Sequence, residues 1–451
     1  MLFERPEAGR QALILHVELR GQANPELNEF AELARSAEID VVGKIPARRD
    51  QPHPRTFVGS GKVSEVAAML NAAKADLLLV NHELSAGQQR NLESELQCRV
   101  ITRTELILTI FADRARSHEG QLQVELAQLN HAQTRLVRGW THLDRQKGGI
   151  GLRGAGEKQI ELDQRMLSDR VKATQKKLAA VSKRRHQNRR GRSRRGTPTI
   201  ALVGYTNAGK STLFNRLTSS DVYAEDQLFA TLDPTMRQVS VPGVRDAVLT
   251  DTVGFVSLLP HALVEAFKAT LEEVVYADLL LHVVDVADPS WEEHMFQVRE
   301  VLQEIGVSGA AELVVFNKID KLGTAAMPAI DLVASQCGTE GKHSPASPPT
   351  KICGAYPVSA IEGSGINELV EGIGAALGVA SPHEVFLNSG DGKTRAWLYR
   401  SGAVLDEQTT EDGNLHLTLM ADDALLAQLQ KSKDVRLHRY NRDPKLSPTI
   451  N

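Results

Sequence analysis

The fold of this chain is decided by the stretch Thr199-Ile200-Ala201-Leu202-Val203-Gly204-Tyr205-Thr206-Asn207-Ala208-Gly209-Lys210-Ser211. It opens with apolar and β-branched residues, which are typical of a buried strand, and a helical pattern runs from Lys210 to Leu217. The residues between match G-x-x-x-x-G-K-[ST], and a strand before this motif with a helix after it is the context of a phosphate-binding loop. The stretch therefore predicts a doubly wound α/β fold that binds a nucleoside triphosphate.

The loop residues have separate predicted roles. Gly204 and Gly209 allow backbone conformations and a close approach that a Cβ would block, so that N–H groups can surround the phosphates at a helix N-terminus. Lys210 is predicted to reach the β- and γ-phosphates as a catalytic group, and the Ser211 hydroxyl to bind Mg²⁺. The predicted phosphate contacts are Gly204, Tyr205, Thr206, Asn207, Ala208, Gly209, Lys210, Ser211 and Thr212.

Two later segments are predicted to sense the γ-phosphate. Asp251-Thr252-Val253-Gly254 follows a predicted strand, so Asp251 would hold Mg²⁺ through its water shell and Gly254 would approach the γ-phosphate. In Phe229-Ala230-Thr231-Leu232-Asp233-Pro234-Thr235, we predict that Thr231 closes on Mg²⁺ and acts in catalysis, with Thr235 as the competing candidate and Phe229 among the nucleotide contacts. Loss of the γ-phosphate would release both segments, which is the physical basis of a nucleotide switch.

A fourth segment predicts which base is bound. Asn317-Lys318-Ile319-Asp320 follows an apolar strand pattern, and the Asp320 carboxylate can accept two hydrogen bonds from guanine. Adenine lacks both donors on that edge and would leave a buried carboxylate unpaired, so the site would reject it. Ser359-Ala360 stands where a last guanine-contacting loop belongs. The four segments in this order predict a GTPase with GTP as substrate and GDP as product.

The residue that usually positions the attacking water is missing. Phe255 follows Asp251-Thr252-Val253-Gly254, where many small GTPases have a glutamine. A phenylalanine cannot hydrogen-bond water, so we expect slow hydrolysis by the chain alone. A partner can accelerate such GTPases about 10⁵-fold, and we expect a large and specific one.

Composition bounds the class of protein. The chain has 451 residues, 41% of them hydrophobic, and a formal net charge of −3, as in a globular protein of about three domains. Its cysteines are Cys98, Cys337 and Cys353, with no C-x-x-C pair, so no disulfide framework or zinc site is indicated. The sequence has no run of eighteen apolar residues, so it predicts no membrane span. The charged N-terminus lacks the apolar core of a signal peptide. We expect a cytoplasmic protein without stable membrane insertion; peripheral membrane association is left open.

Periodicity divides the chain into four predicted parts: an N-terminal parallel α/β domain (1–112), a helical hairpin with a glycine-rich basic loop and a basic linker (113–196), the GTPase domain (197–380) and a small C-terminal α/β module (381–451). In the first part, Gly59-Ser60-Gly61-Lys62 lacks the first glycine and the metal-binding hydroxyl of a phosphate loop. We interpret it as a turn into a helix, which leaves a second triphosphate site as the weaker alternative. A Ser- and Pro-rich insertion, Gly323 to Cys353, predicts a surface loop.

Two cationic segments lie in the hairpin region. The loop Gly148 to Glu157 has five glycines within nine residues and is flanked by Arg145, Lys147, Arg153 and Lys158. From Lys183 to Arg195, eight of thirteen residues are cationic and none is acidic. Blocks of this density bind phosphate backbones without reading sequence. A solvated linker is the plain alternative, and the two roles can coexist.

The combination resembles HflX-type translational GTPases. The resemblance rests on the Gly151-Leu152-Arg153-Gly154-Ala155-Gly156-Glu157 loop between two helices, the phosphate loop, the segment from Leu228 to Thr235, and Asp251 to Phe255. It implies binding to the large ribosomal subunit and its rRNA near the peptidyl-transferase centre, and splitting of stalled or idle ribosomes, notably after heat stress. It also implies that Asn207 helps to bind K⁺ beside the phosphates, as in potassium-stimulated relatives. The alternative for Asn207 is a brace within the loop.

Two other functions stay open at this point. One is a regulatory module whose GTP state recruits a protein partner, for example at a membrane protease, with little RNA contact. The other is an RNA chaperone or helicase driven by the N-terminal domain, which would require nucleotide at Gly59 to Lys62. The cationic segments favour the ribosome over the first, and the incomplete loop disfavours the second.

Overall fold

A computed structural model of the chain describes residues 10–20, 26–139, 155–194, 197–219, 228–229, 231–242, 244–257, 271–322, 350–377, 381–387, 391–401, 403–410, 414–421, 429 and 435–439. The described strands form three sheets, of four, six and four strands. A pair of long helices lies between the first and second sheets in the chain. The multidomain α/β class predicted from the sequence is confirmed.

The N-terminal sheet is parallel throughout and has the order β2-β1-β3-β4. Its strands are β1 (Gln11–Leu19), β2 (Asp40–Arg49), β3 (Leu77–Val80) and β4 (Arg99–Thr102). Its helices are α1 (Leu27–Ser36), α2 (Ser60–Ala73), α3 (Ala86–Leu96) and α4 (Arg103–Arg114). Gly59 is the N-cap of α2, so the Gly59-Ser60-Gly61-Lys62 segment is the turn into a helix that the sequence predicts.

The hairpin consists of α5 (His118–Gly139) and α6 (Ala155–Arg194), which pack against each other. Leu122 and Leu129 of α5 are seven residues apart, a spacing that puts them on one face of a helix, and both are buried. The basic block was interpreted as binding nucleic acid or forming a linker, and α6 extends through most of it, to Arg194. Lysine and arginine lose little rotamer freedom in a helix, so such a run does not stop one. The predicted glycine-rich loop lies outside the described residues as far as residue 154, and α6 begins at Ala155.

The second sheet has the order β10-β9-β8-β5-β7-β6, parallel except for β6. Its strands are β5 (Thr199–Val203), β6 (Thr235–Val241), β7 (Val244–Asp251), β8 (Leu279–Asp285), β9 (Ala310–Asn317) and β10 (Thr350–Pro357). The helices around it are α7 (Lys210–Thr218), α8 (Trp291–Glu304) and α9 (Ile366–Ala376). Separate apolar clusters line its two faces. The loop predicted from Gly323 to Cys353 is wrong at its end, because residues 350–353 belong to β10, which pairs with β9. Residues 323–349 lie outside the description.

The C-terminal sheet is antiparallel, in the order β12-β13-β11-β14. Its elements are β11 (Ser381–Leu387), α10 (Gly392–Ser401), β12 (Val404–Thr409), β13 (Leu415–Ala421) and β14 (Val435–Arg439). A helical run predicted from Asp422 to Leu429 falls almost wholly outside the described residues. In the part of the chain that the structure describes, no helix has both the length and the apolar character needed to cross a bilayer.

The N-terminal sheet and the second sheet share a core. One apolar cluster contains Phe30 and Phe111 of the N-terminal helices and also Phe229, Val253 and Val256 from the segments next to the phosphate loop. The predicted switch segments therefore pack against the N-terminal domain, which places that domain directly beside the candidate nucleotide site.

Candidate nucleotide site

The phosphate loop has the backbone that its glycines were predicted to allow. Gly204 and Gly209 have φ angles of 149° and 91°, in the region that favours glycine. A Cβ at Gly204 would collide with the Val283 carbonyl oxygen, and one at Gly209 with Asn317 Nδ2. Both positions therefore need glycine for conformation and for space. Thr212 lies in the first turn of α7, directly behind the loop.

Lys210 is buried at the end of the loop. Its Nζ donates hydrogen bonds to the carbonyl oxygens of Gly204, at 3.0 Å, and Tyr205, at 2.7 Å. Burial lowers the pKa of Lys210 to about 8, although the charge of Asp251 acts in the opposite direction. A bound phosphate would favour the charged form of Lys210, because an opposite charge at close range favours the ionised state.

Three oxygen-bearing side chains converge beside Lys210. Ser211 Oγ lies 2.8 Å from Thr231 Oγ1 and 2.7 Å from Asp251 Oδ2, and Thr231 Oγ1 lies 2.9 Å from the same carboxylate oxygen. Thr235, the competing candidate, instead begins β6 and pairs along the backbone with Asp251. The geometry brings Thr231 to Ser211 and Asp251, and Thr235 remains a strand residue.

These three side chains fit a Mg²⁺ ion. Burial raises the pKa of Asp251, and its Oδ1 is buried with no hydrogen-bond partner among the described residues. A buried carboxylate oxygen of this kind is stabilised by a cation, and Mg²⁺ prefers carboxylate, hydroxyl and water oxygens. The contact of Thr231 with Ser211 and Asp251 is the one predicted for the switch when the γ-phosphate is present.

Gly254, which is predicted to approach the γ-phosphate, lies close to the phosphate loop. A Cβ there would lie 2.7 Å from Thr206 Cγ2 and 3.0 Å from Lys210 Nζ, so only glycine lets this backbone come so near the loop. Phe255, the next residue, is 3% exposed and packs with Val203 and Leu271. Its backbone N–H donates to the Gly204 carbonyl oxygen at 3.2 Å. Its ring therefore supports the fold and offers nothing to an attacking water.

The base end of the site is assembled from two loops. Asn317 Nδ2 donates to the Ala208 carbonyl oxygen at 2.9 Å, and its Oδ1 accepts from Ala360 N at 3.0 Å. Asp320 Oδ1 accepts from Ser359 Oγ at 2.6 Å. The loop after β10 therefore meets the loop after β9, which brings every predicted base contact to one edge of the sheet.

Lys318 follows Asn317 in the loop after β9. It has a φ of 67°, and its Nζ pairs with Asp285 Oδ2 at 2.7 Å. Its partner Asp285 lines a cavity of about 260 Å³, together with Asn207, Asp288 and His294 among others. Asn207 is exposed, and none of the hydrogen bonds found among the described residues involves its side chain.

Two predicted nucleotide contacts direct their side chains elsewhere. The Tyr205 hydroxyl donates to Glu29 Oε2 at 2.8 Å, and the ring stacks on His294 with centroids 3.9 Å apart. Phe229 is 2% exposed, and its ring meets Phe111 edge-on at 4.6 Å. Contact of either residue with nucleotide is thus left to its backbone.

Sequence patterns missed a buried polar cluster between the N-terminal domain and the site. Arg103 NH2 donates to Glu29 Oε1 at 2.6 Å and to the Ser257 carbonyl oxygen at 3.0 Å. Glu29 also accepts from the Ser257 hydroxyl and from Tyr205. These residues are far apart in the chain and match no motif, so no sequence pattern pointed to the cluster.

A phosphate loop, a hydroxyl and carboxylate cluster for Mg²⁺, and a paired Asn317 and Asp320 at the base end define a P-loop GTPase. Comparison with known proteins agrees. A family model described as GTP-binding GTPase N-terminal matches residues 24–112, one described as GTP-binding GTPase Middle Region matches residues 114–192, and one described as 50S ribosome-binding GTPase matches residues 199–318.

Full-length relatives extend the match. The chain is 48% identical over 418 residues to GTPase HflX of Escherichia coli (strain K12), covering 92% of this chain and 94% of that protein. It is 45% identical over 406 residues to GTPase HflX of Magnetococcus marinus, covering 90% of each. A crystal structure of SsGBP in complex with GDP is similar with a TM-score of 0.47 and 26% identity, covering 81% of this chain and 97% of that one. The chain belongs to the HflX GTPase family, and it hydrolyses GTP.

Proposed function

We propose that this GTPase binds the large ribosomal subunit and its rRNA, and splits stalled or idle ribosomes under stress. The observation that carries the proposal is the contact between the nucleotide switch and the helical hairpin: Asp233, two residues after Thr231, hydrogen-bonds the start of α5. The hairpin bears the cationic residues of α6, so nucleotide state and a phosphate-binding arm are joined. The match to a model described as 50S ribosome-binding GTPase supports the same partner.

In the proposed chemistry, Ser211, Thr231 and, through its water shell, Asp251 would hold Mg²⁺, which would supply positive charge to the β- and γ-phosphates. Lys210 binds the same phosphates, and the backbone of Gly254 approaches the γ-phosphate. Asp320 and Asn317 select guanine. Each of these groups positions or stabilises charge, and none activates the attacking water.

The missing group predicts dependence on a partner. The Phe255 ring is buried in an apolar cluster, so hydrolysis by the chain alone is slow in this proposal. Contact with the large subunit would complete the site, with an acceleration of up to about 10⁵-fold by analogy with other assisted GTPases. A partner found on ribosomes also implies that the protein works in the cytoplasm. We propose that it does so as a monomer, the default for this type of GTPase.

K⁺ is part of the proposal as a second cation. Asn207 is exposed at the edge of the loop, next to a cavity lined by Asp285 and Asp288. A monovalent cation held there would place positive charge beside the phosphates, where other GTPases use an arginine. Turnover should be several-fold faster in K⁺ than in Na⁺ at equal ionic strength. Equal rates would remove K⁺ from the mechanism.

The deciding experiment measures GTP turnover with and without purified large subunits. The double variant Arg153→Glu/Lys158→Glu reverses one charge in the hairpin loop and one in the first turn of α6. Its matched control, Lys393→Glu/Arg400→Glu, reverses two cations of α10. We expect subunit stimulation and co-sedimentation to be lost in the first variant and kept in the control. Conversion of whole ribosomes to subunits, followed on sucrose gradients with a GTP analogue, tests the splitting role. Unstimulated turnover and no co-sedimentation of the unaltered protein would refute the proposal and favour a protein partner.

A further inference from the structure

Asp233, two residues after the switch threonine Thr231, contacts the start of the hairpin. Its Oδ2 accepts hydrogen bonds from the backbone N–H groups of Arg116, at 2.9 Å, and Ser117, at 2.7 Å. Its Oδ1 accepts from the Ser117 hydroxyl, and Ser117 Oγ in turn accepts from the Gly120 N–H at 2.9 Å. A carboxylate from the switch segment thus covers the N-terminus of α5, where negative charge is favoured by the helix dipole.

Gly120 makes room for this carboxylate because it has no side chain. A Cβ built on it would collide with Asp233 Oδ1. Gly120 is buried within the first turn of α5, where alanine would favour the helix by about 1 kcal/mol over glycine. The contact therefore explains a glycine that helix stability alone disfavours.

The switch threonine is attached on its other side as well. Leu228 and Phe229 are 3% and 2% exposed, the Leu228 N–H donates to Ser36 Oγ at 3.2 Å, and the Phe229 ring contacts Phe111. Phe229 has a φ of 58°, which a bulky residue adopts only when its surroundings hold it there. Thr231 consequently lies between an apolar anchor on the N-terminal domain and a polar anchor on the hairpin.

The segment that joins the two anchors is short, and this restricts how far Thr231 can move. From Phe229 to Asp233 the chain spans at most about 14 Å when fully extended, at about 3.5 Å for each residue. Thr231 cannot leave Ser211 and Asp251 by an appreciable distance while both anchors hold. Withdrawal of Thr231 must release one anchor or move the element to which it is attached.

We propose that Asp233 is the positioning residue that couples Thr231 at the Mg²⁺ site to the start of hairpin helix α5. With the γ-phosphate and Mg²⁺ in place, Thr231 is held and Asp233 covers the helix start. With GDP, Thr231 is released and the hairpin loses this attachment. Because coupling between two sites is reciprocal, whatever binds the hairpin in its attached position raises the affinity for GTP by the same factor. That the hairpin's ligand is the large subunit rests on the proposed function.

The coupling can be tested in the isolated full-length protein by hydrogen exchange. We expect the backbone amides of Arg116, Ser117 and Gly120 to exchange about tenfold more slowly with a non-hydrolysable GTP analogue than with GDP, a ratio typical of coupled sites. Asp233→Asn should bring that ratio close to one. The matched control is Asp391→Asn, since Asp391 covers the start of α10 in the C-terminal module, accepting from Thr394 N at 3.1 Å. That control should keep the full ratio at α5.

A variant on the hairpin side separates coupling from simple helix capping. Gly120→Ala favours the helix itself but displaces the Asp233 carboxylate. Under the proposal, the nucleotide dependence of exchange at α5 falls although the helix gains stability. If both Asp233→Asn and Gly120→Ala retain the tenfold ratio, Asp233 is a structural cap and the proposal is wrong.

The second readout uses large subunits. The ratio of subunit affinity in the analogue state to that in the GDP state should fall about tenfold in Asp233→Asn, and be unchanged in Asp391→Asn. If the unaltered protein binds no subunits in any state, the proposed ribosomal function fails, while the exchange experiment still decides whether Asp233 couples the switch to the hairpin. An unchanged affinity ratio in a subunit-binding Asp233→Asn protein would contradict the coupling.

Discussion

At the scale of single residues, the polar groups of the nucleotide site are already buried before a ligand binds. Lys210 and Asp251 are 6% and 0% exposed, and burial moves both pKa values toward the uncharged forms. Phosphate and Mg²⁺ would reverse both shifts, since each supplies the opposite charge at close range. Ligand binding at this site is therefore linked to proton uptake and release.

The first prediction follows from Lys210. Its pKa of about 8 in the ligand-free site means that the ammonium loses its proton as pH rises through 8, whereas a bound triphosphate holds the proton on. Affinity for a GTP analogue should therefore be constant well below pH 8 and fall above it, by up to about tenfold per pH unit for one proton. Calorimetric titrations at pH 9 in two buffers of different ionisation enthalpy should report proton uptake.

Lys210→Arg is the matched control for that experiment, because a guanidinium stays charged throughout this range. Ionisation of the guanine base affects both proteins alike, so the difference between them isolates Lys210. Equal proton uptake by the two proteins would contradict the assignment.

The second prediction concerns Asp320. In Asp320→Asn the amide oxygen still accepts from Ser359, but the side chain no longer offers guanine two acceptor oxygens. GTP affinity should fall by roughly 10- to 100-fold, as expected for lost hydrogen bonds to a charged group. Xanthosine triphosphate should gain affinity, since xanthine has a carbonyl where guanine has its amine. Competition binding measures both, and Asp406→Asn, in β12, is the control; retained preference for GTP would exclude Asp320 from the base site.

Residue-scale chemistry was largely predictable from the sequence because the motif residues answer local requirements. Gly204 and Gly209 are needed by backbone conformation, and Ser211 and Asp251 follow strands whose ends meet at one edge. The Glu29 contacts with Tyr205 and Ser257 were not predictable, since they depend on how two domains pack. The direction of the Phe229 side chain could not be predicted for the same reason.

At the scale of elements, the second sheet contains a buried ionic cluster outside the nucleotide site. Glu312 of β9 is 0% exposed and accepts from His282 of β8 at 2.9 Å, from Arg299 of α8 at 3.0 Å and from Thr350 of β10. Burial would raise the pKa of Glu312, but the His282 hydrogen bond and the charges of His282 and Arg299 together lower it to about 2. The cluster joins three neighbouring strands and one helix.

The third prediction is that Glu312→Gln destabilises the GTPase domain by about 3 kcal/mol, because it leaves Arg299 without its buried partner. The pKa of Glu312 is lower in the folded protein, about 2, than in the unfolded chain, near 4.5. Its ionised carboxylate therefore stabilises the folded protein above pH 4.5, and this stabilisation is lost as the pH falls from 4.5 toward 2. The loss of stability between pH 4.5 and 2 should thus be smaller in the variant. Urea unfolding at several pH values measures both effects.

Glu18→Gln is the matched control, since Glu18 pairs with Arg48 at the surface and exposed pairs contribute about 0–1 kcal/mol. A Glu312→Gln protein as stable as this control would show that the cluster adds nothing. Element boundaries followed hydrophobic periodicity closely in the buried strands: the apolar runs Leu77 to Val80 and Thr199 to Val203 of the sequence coincide with β3 and β5. The length of α6 was underestimated because its charges suggested a linker, and charge alone does not end a helix.

At the scale of the whole molecule, the N-terminal and GTPase domains share one core and one buried ion pair. Phe111 and Phe229 pack in a common cluster, and the Arg103 and Glu29 side chains are 4% and 7% exposed, with N–O contact at 2.6 Å. Interfaces with this character do not open freely. Nucleotide bound in one domain should therefore stabilise the other as well.

The last prediction tests that coupling through Arg103. Scanning calorimetry of the unaltered protein should show the two domains unfolding in one transition that GDP shifts as a whole. Arg103→Met leaves the Glu29 carboxylate buried without a cation, at a cost of about 3–5 kcal/mol, so the transition should divide and GDP should shift only the GTPase part. Glu29→Gln/Arg103→Met removes both charges and should recover much of the loss, because the penalty belongs to the uncompensated charge. Arg48→Met, at the exposed pair, should keep the single transition, and two separate transitions in the unaltered protein would mean that the shared core does not couple the domains.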